Sequence, residues 1–290
     1  MSAGPSITRC APASLARGDS LAGTAVPQTR FLLIEDAGPW SSDAHPTGSL
    51  PPEAASHLRA WAAAAGARLL LIRRHGRNDA PRRRTWALAD VVAGEVRSGT
   101  ASDDELATLD PLADGRASAD AWILVCTHGR HDVCCAVDGR PVAHALSSLS
   151  GDVWECTHVG GDRFAANVLC LPSGAMYGRV QPSDAQLLLD ADARGDVLAH
   201  HLRGIVGRAA HLQVAEDAVR RHRVVGSLAG VRAVAAVTEA RGRWTVTVEH
   251  PSGVDHVDVA SAPSEPLDRV SCSATGPRRI PTWTATILGQ

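Results

Sequence analysis

Between Cys126 and Arg163 the chain reads CTHGRHDVCCAVDGRPVAHALSSLSGDVWECTHVGGDR, which holds four of its seven cysteines and four of its thirteen histidines. Thiolates and imidazoles are soft and borderline ligands, so this density points to metal or thiol chemistry. Eight residues separate Cys126 from Cys135, and three separate His158 from Asp162. Eight residues can fold back to set two sulfurs on one iron. They are too many for a C-x-x-C redox pair, whose sulfurs meet within one helical turn. Zinc ribbons and fingers need two closely spaced cysteine pairs, or one such pair and a histidine pair. Neither occurs here, so the spacing favours a metal–sulfur cluster over a zinc knuckle. Cys134 adjoins Cys135 and should point elsewhere, which reads it as a packing thiol, and Cys170 reads the same way. Gly160 and Gly161 permit a turn with positive φ that would bring positions 158 and 162 to one side.

These residues need strand ends and a helix to hold them. Trp122–Val125 reads as a strand that delivers Cys126 at its C-terminal end, and Val153–Cys156 as another that ends before His158. A helix is expected from Pro141, since proline suits a first turn, with Val142, Ala145, Leu146 and Leu149 on one face. Pro172-Ser173-Gly174 signals a hairpin between strands at 168–171 and 176–180, and Ser183 is expected to cap a following helix. Upstream, a strand at Arg30–Glu35, a helix opened by Pro51-Pro52 and a strand at Leu69–Ile72 form a βαβ pattern, hence a parallel sheet covered by helices. Residues 75–84 (HGRNDAPRRR) read as a polar loop and 103–112 as a short helix. Beyond residue 204 come an amphipathic helix at 211–223 and strands near 231–238, 244–250 and 254–260. The final thirty residues are weakly patterned. No internal repeat is visible.

Composition narrows the classes. The chain has 290 residues with 44% hydrophobic but only 3% aromatic content, so its core is built from Ala, Val and Leu. A net charge of −2 offers no field for nucleic acid or an anionic membrane. The most apolar stretch, Leu58 to Ile72, is broken by Arg59 and Arg68 and is too short to span a bilayer. The N-terminus lacks the apolar run of a secretory signal, and an odd, clustered cysteine count suits a reducing compartment, so a cytoplasmic location is expected.

The segments CTHGRHDVCCAVDGRPVA, VWECTHVGGDRFAANVLCLP and MYGRV resemble the sucrase/ferredoxin-like family of thioredoxin-fold ferredoxins. The resemblance covers roughly residues 28–220 and is most specific over 126–180. It implies an α/β, thioredoxin-like ferredoxin fold with one [2Fe–2S] cluster, held by two cysteines on one iron and an H-x-x-x-H histidine pair on the other. Cys126 and Cys135 match the cysteines and His158 the first histidine, while Asp162 stands where the family has its second. The candidates for the fourth ligand are Asp162 first, then Cys156, with Cys272, His128 and His131 behind. The domain plan is a loose lead-in over 1–28, an α/β region over 29–115, a ferredoxin core over 116–203 and a small α+β module over 204–290. An electron carrier with a redox-protein donor or acceptor, and with neither nucleic acid nor membrane as partner, is the leading expectation.

Three rival readings use the same residues or others. A thiol oxidoreductase or redox sensor would use Cys134, Cys135 and Cys156, with Arg130 and His131 nearby. A zinc domain would use Cys126, Cys135, His158 and Asp162. Nucleic-acid binding would use Arg220, Arg221 and Arg223, although basic residues commonly end a helix. Glycoside hydrolysis gets no support, because no placed carboxylate pair is recognisable.

Overall fold

The computed structural model describes residues 9–42, 48–76 and 82–289. Part of the expected lead-in (1–8) and part of the expected polar loop (77–81) lie outside them. Helix α1 (Cys10–Arg17) comes first, followed by β1 (Arg30–Glu35), α2 (Pro52–Ala64) and β2 (Ala67–Arg73). Strands β1 and β2 are parallel, with Leu32 opposite Leu69. Strand β3 (Arg84–Asp90) runs antiparallel to β1 and returns as β4 (Glu95–Ala101). After short helices α3 (Asp103–Leu106) and α4 (Pro111–Asp114), β5 (Arg116–Ser118) pairs with β4.

The next segment follows the same path. Strand β6 (Trp122–Cys126), helix α5 (Val133–Ser147) and β7 (Val153–Cys156) make a second parallel unit. Strand β8 (Val168–Leu171) lies antiparallel to β6 and β9 (Ala175–Tyr177) antiparallel to β8. Helix α6 (Ala185–Arg194) then leads to β10 (Leu202–Ile205), which pairs with β9. All ten strands form one sheet in the order β10-β9-β8-β6-β7-β2-β1-β3-β4-β5. The central pair, β7 and β2, is antiparallel, with Ile72 opposite Cys156. The two halves are therefore related by a local two-fold axis at that pair. The expected absence of a repeat does not extend to topology: the path repeats although the residues do not.

Side-chain parity places the layers. Leu32, Ile34 and Leu71 pack on Ala54, Ala55 and Leu58 of α2. Ile123, Val125 and Val153 pack on Val142, Ala143 and Leu146 of α5. Because cross-strand partners share a face, both helices lie on the same side of the sheet. The other side carries one continuous cluster that includes Phe31, Leu33, Ile72, Leu124, Cys126 and Cys156. The remaining chain, α7 (Ala210–Arg223), β11 (Arg232–Ala240), β12 (Arg243–His250), β13 (Gly253–Pro263) and β14 (Pro281–Ile287), builds a separate antiparallel sheet in sequential order. Val214, Ala215 and Val219 of α7 pack against Val246, Val248, Val257 and Val259.

Several local expectations are corrected. Pro141 does not open a helix but sits inside α5, which starts eight residues earlier because Asp132 accepts the Cys134 N–H as an N-cap. The missing proline N–H leaves the carbonyl of Val137 without its helical partner, at an exposed position where water is available. Ser183 lies within a 3₁₀ turn, and Asp184 rather than Ser183 precedes α6. The weakly patterned C-terminus contains β14, and the lead-in contains α1. Arg84 begins a strand rather than ending a loop, since its guanidinium is buried against Asp36 and Asp103.

Gly139 lets α5 approach β6 closely: a Cβ there would overlap the Cys126 carbonyl oxygen. Gly139→Ala would gain about 1 kcal/mol of helix propensity, yet the neighbour is backbone and cannot swing aside. We expect a net destabilisation of about 1–3 kcal/mol. An unchanged or raised urea midpoint would contradict this close approach.

Candidate metal centre

Cys126 ends β6 and Cys135 lies in the first turn of α5, so six loop residues and the start of a helix connect them. That loop is fixed by its own backbone: the His128 carbonyl accepts the N–H groups of His131 and Asp132, and the Asp132 carbonyl accepts that of Cys135. Beyond β7, the His158 N–H donates to His128 Nδ1 at 3.3 Å. The chain then reverses through Gly160 (φ 100°) and Gly161 (φ 78°), left-handed values open to glycine. Asp162 begins a 3₁₀ turn, Asp162–Phe164, and faces back toward His158.

The result is a convergence of donors. The ligand atoms of Cys126, Cys135 and His158 all lie within 4.8 Å of one another, as do those of His131, His158 and Asp162. Cys135 Sγ donates to Asp162 Oδ1 at 3.3 Å. His158 Nδ1 approaches the same oxygen to 2.8 Å. The N–H is nevertheless misaligned, so this buried nitrogen has no hydrogen-bond partner among the described residues. The two form an ion pair when the ring is protonated, and a cation could take the place of that proton between them. The His131 ring lies over that of His158, with centroids 3.9 Å apart, and its Nε2 is 3.9 Å from Asp162 Oδ2.

Charge is concentrated here out of water. Interaction with the neighbouring Cys135 thiol holds the Cys126 pKa well below the ordinary thiol value against the opposing effect of burial. The same interaction, reinforced by burial, pushes Cys135 well up. For His158, burial favours the neutral ring, but Asp162 and Cys126 override it and push its pKa up to about 9. Burial works against ionised Asp162 as well, and His158 holds its pKa below the usual carboxylate value. Two arginines, one buried and one half-buried, balance the negative groups. Arg203, from β10, is 2% exposed and donates to the carbonyl of Gly160, to Asn167 Oδ1 and to Thr24. Arg68, from β2, donates to the carbonyls of His158 and Val159. Any Cβ on Gly161 would collide with the Arg203 guanidinium, which makes the glycine a packing requirement as well as a turn residue.

The four residues singled out by spacing and resemblance, Cys126, Cys135, His158 and Asp162, are thus brought to one place. Cys156 is Cys126's neighbour across the strands but joins no convergent group among the described residues. His131 does join one and stands closer to the site than its late place among the candidates suggested. His128 uses both ring nitrogens, Nδ1 for the His158 N–H and Nε2 for the Ser41 carbonyl at 2.6 Å, so it has no lone pair to spare. Cys170 is buried in the core beside α5 and α6. Cys134 and Cys272 belong to a second cluster described below. Sequence reasoning missed Arg203, whose position between apolar neighbours carries no signal, and Arg68, whose only signal is a charge inside an apolar strand.

Two thiols, an imidazole and a carboxylate thus gather at a strand end of a mixed α/β sheet, in groups that could hold a metal ion. The sucrase/ferredoxin-like family profile matches residues 21–204, and the chain belongs to that family. Two curated relatives share the name "Altered inheritance of mitochondria protein 32". The one from Candida glabrata is 23% identical over 137 residues, 41% of this chain and 44% of that protein. The one from Meyerozyma guilliermondii is 35% identical over 102 residues, 31% of this chain and 36% of that protein. The matches thus span less than half the length of these relatives. Among solved structures, the chain is similar to a thioredoxin-like [2Fe–2S] ferredoxin from Aquifex aeolicus at 16% identity, covering 29% of this chain and 91% of that one with a TM-score of 0.26. A variant of that ferredoxin matches at the same identity with a TM-score of 0.25, covering 28% of this chain and 96% of that one.

In the metal-free protein His158 should couple stability to pH. Its folded pKa, about 9, exceeds the ordinary value of 6.5. The charged ring therefore stabilises the fold fully below about pH 6.5, and the contribution fades as pH rises through about 9. It amounts to at most about 3 kcal/mol. Relative to His158→Asn, the wild-type urea midpoint should lead at pH 6 and lose that lead by pH 10. A constant difference would show that Asp162 and Cys126 do not hold the proton.

Proposed function

We propose that the protein is an electron carrier with one [2Fe–2S] cluster, Cys126 and Cys135 holding one iron and His158 and Asp162 the other. The observation that carries this reading is the convergence of two buried thiols, an imidazole and a carboxylate in a member of the sucrase/ferredoxin-like family. Such a cluster supplies reversible one-electron transfer. The chain's own contribution is to exclude water from the sulfurs, which are 1% exposed at Cys126 and Cys135, and to supply Arg203 and Arg68 as fixed counter-charges. The imidazoles are the more open side of the site, with His158 and His131 side chains 16% and 23% exposed. The partner is a redox-protein donor or acceptor, and the cytoplasm fits the free thiols. Among the described residues no helix is long and apolar enough to cross a membrane.

The rival readings have weaker footing. A reactive catalytic thiol is partly exposed, whereas Cys134, Cys135 and Cys156 are buried. Arg220 donates to the carbonyls of Val225, Ser227 and Leu228, Arg221 pairs with Asp217 and Arg223 with Asp255. That basic run is taken up within its own module and leaves little for a phosphate. A single zinc ion remains a second reading, because donors within 4.8 Å of one another also fit one tetrahedral ion.

Protein purified without oxygen should be brown, with about two irons and two acid-labile sulfides per chain. Cys126→Ser and Cys135→Ser should abolish both. Colourless protein without sulfide after iron–sulfur reconstitution would sink this reading, and zinc at Cys126 in its place would establish the single-ion one.

Asp162 sets the potential. An oxidised core of +2 with two thiolates, one imidazole and one carboxylate has a net charge of −1. Its potential should fall between the plant-type ferredoxins, about −400 mV, and the Rieske centres, about −150 to +300 mV. Asp162→His should raise it, while His131→Ala should leave iron content intact. If Asp162→His leaves the potential unmoved and His131→Ala loses iron, the fourth ligand is His131.

A further inference from the structure

A second group of donors lies at the other side of the first turn of α5. Cys10 from α1, Cys134 and Asp132 from the start of α5, and Cys272 from the segment between β13 and β14 place one ligand atom each within 4.8 Å of one another. Cys10 and Cys134 are fully buried, and Asp132 is 2% exposed. Three of the seven cysteines therefore meet from parts of the chain as distant as residues 10 and 272. By sequence alone Cys134 reads as a packing thiol and Cys272 as a remote candidate at the first site.

The distances exclude some occupants. Cys134 Sγ lies 3.6 Å from Cys10 Sγ and 3.5 Å from Cys272 Sγ. A disulfide needs about 2.05 Å and would leave one of the three thiols over. A zinc–sulfur bond of about 2.3 Å sets tetrahedral sulfurs about 3.8 Å apart, and a zinc–oxygen bond of about 2.0 Å sets sulfur and oxygen about 3.5 Å apart. Both Asp132 oxygens are 3.6 Å from Cys10 Sγ. The set is sized for one tetrahedral ion and is too tight to surround a multi-iron cluster.

The surroundings are those of a metal-thiolate site. The Cys10 N–H donates to Cys272 Sγ at 3.3 Å and the Ala11 N–H to Cys134 Sγ at 3.4 Å. Asp132 is oriented by the N–H groups of Cys134 at 2.9 Å and Cys272 at 2.7 Å. Backbone N–H groups placed in this way fix ligands and disperse thiolate charge. Arg9 Nη1 adds a positive group 3.8 Å from Cys134 Sγ.

We propose that Cys10, Cys134, Cys272 and Asp132 form a structural zinc site, separate from the donors around Cys126. Zinc binding releases the thiol protons and leaves a closed, four-coordinate centre with no position for substrate. The ion clamps α1 and the 264–280 segment onto α5, whose next residue, Cys135, faces the other site. Adjacent residues of one helical turn thus serve two centres on two faces.

The test is metal analysis of the full chain produced with iron and zinc both supplied. Wild type should carry about one zinc per chain, with three sulfurs and one lighter ligand in its zinc X-ray absorption spectrum. Cys10→Ser and Cys272→Ser should each lose the zinc, or bind it at least tenfold more weakly in competition with a chelator, and keep whatever iron and colour the wild type has. Cys126→Ser should keep the zinc. Zinc lost from Cys126→Ser but retained by Cys272→Ser would put the ion at the first site and overturn the proposal. Wild type that takes up no zinc while Cys10, Cys134 and Cys272 remain titratable or disulfide-linked would overturn it too. Because zinc and iron are read separately, failure at one centre is distinguishable from failure at the other.

Discussion

Placing ionisable groups out of water governs this structure. Two thiols, an imidazole and a carboxylate meet at the end of β6, and each ionised member would cost several kcal/mol if left uncompensated. Arg203 and Arg68 meet that cost from opposite directions, one from the edge strand β10 and one from β2 of the other half. Each arginine is held by backbone carbonyls, so neither can leave to follow solvent. The glycine turn at 160–161, the capped start of α5 and the Gly139 contact all serve to deliver donors into that balanced charge. Electrostatics and packing are here one requirement.

Legibility in the sequence followed the range of the interactions. Strands at 30–35, 122–126, 153–156 and 168–171 were readable because apolar runs bounded by turns are local signals. The two glycines announced the turn that joins His158 to Asp162. Pro141 misled because a proline inside a helix costs about 3 kcal/mol in isolation, and only the Asp132 cap and the packing of α5 on β6 outweigh that. β3 was hidden by Arg84, whose charge is paid for by Asp36 and Asp103 at sequence distances no window covers. The meeting of Cys10, Cys134 and Cys272 was illegible for the same reason: separations beyond 120 residues leave no periodic trace.

The two halves of the large sheet share a path but not a chemistry. By register, Glu35 stands in β1 where Cys126 stands in β6, since each pairs with the corresponding residue of its parallel neighbour, Ile72 and Cys156. Glu35 accepts the Thr85 N–H and thereby ties β1 to the start of β3. One half thus spends its strand end on structure and the other on ligands. Topological symmetry gives two equivalent places, and residue type gives one of them a function.

The junction between those halves is narrow. Among the described residues Ile72 pairs with Cys156 and Arg73 with Glu155 across it, reinforced by the Thr157 N–H to the Leu71 carbonyl, the Leu71 N–H to Thr157 Oγ1 and the Arg73–Glu155 ion pair, while the apolar cluster on the face away from the helices runs through both halves. All four donors around Cys126 belong to the second half of the sheet, whereas Arg68 comes from the first. Part of the neutralising charge at the site is therefore lent across the junction between the halves.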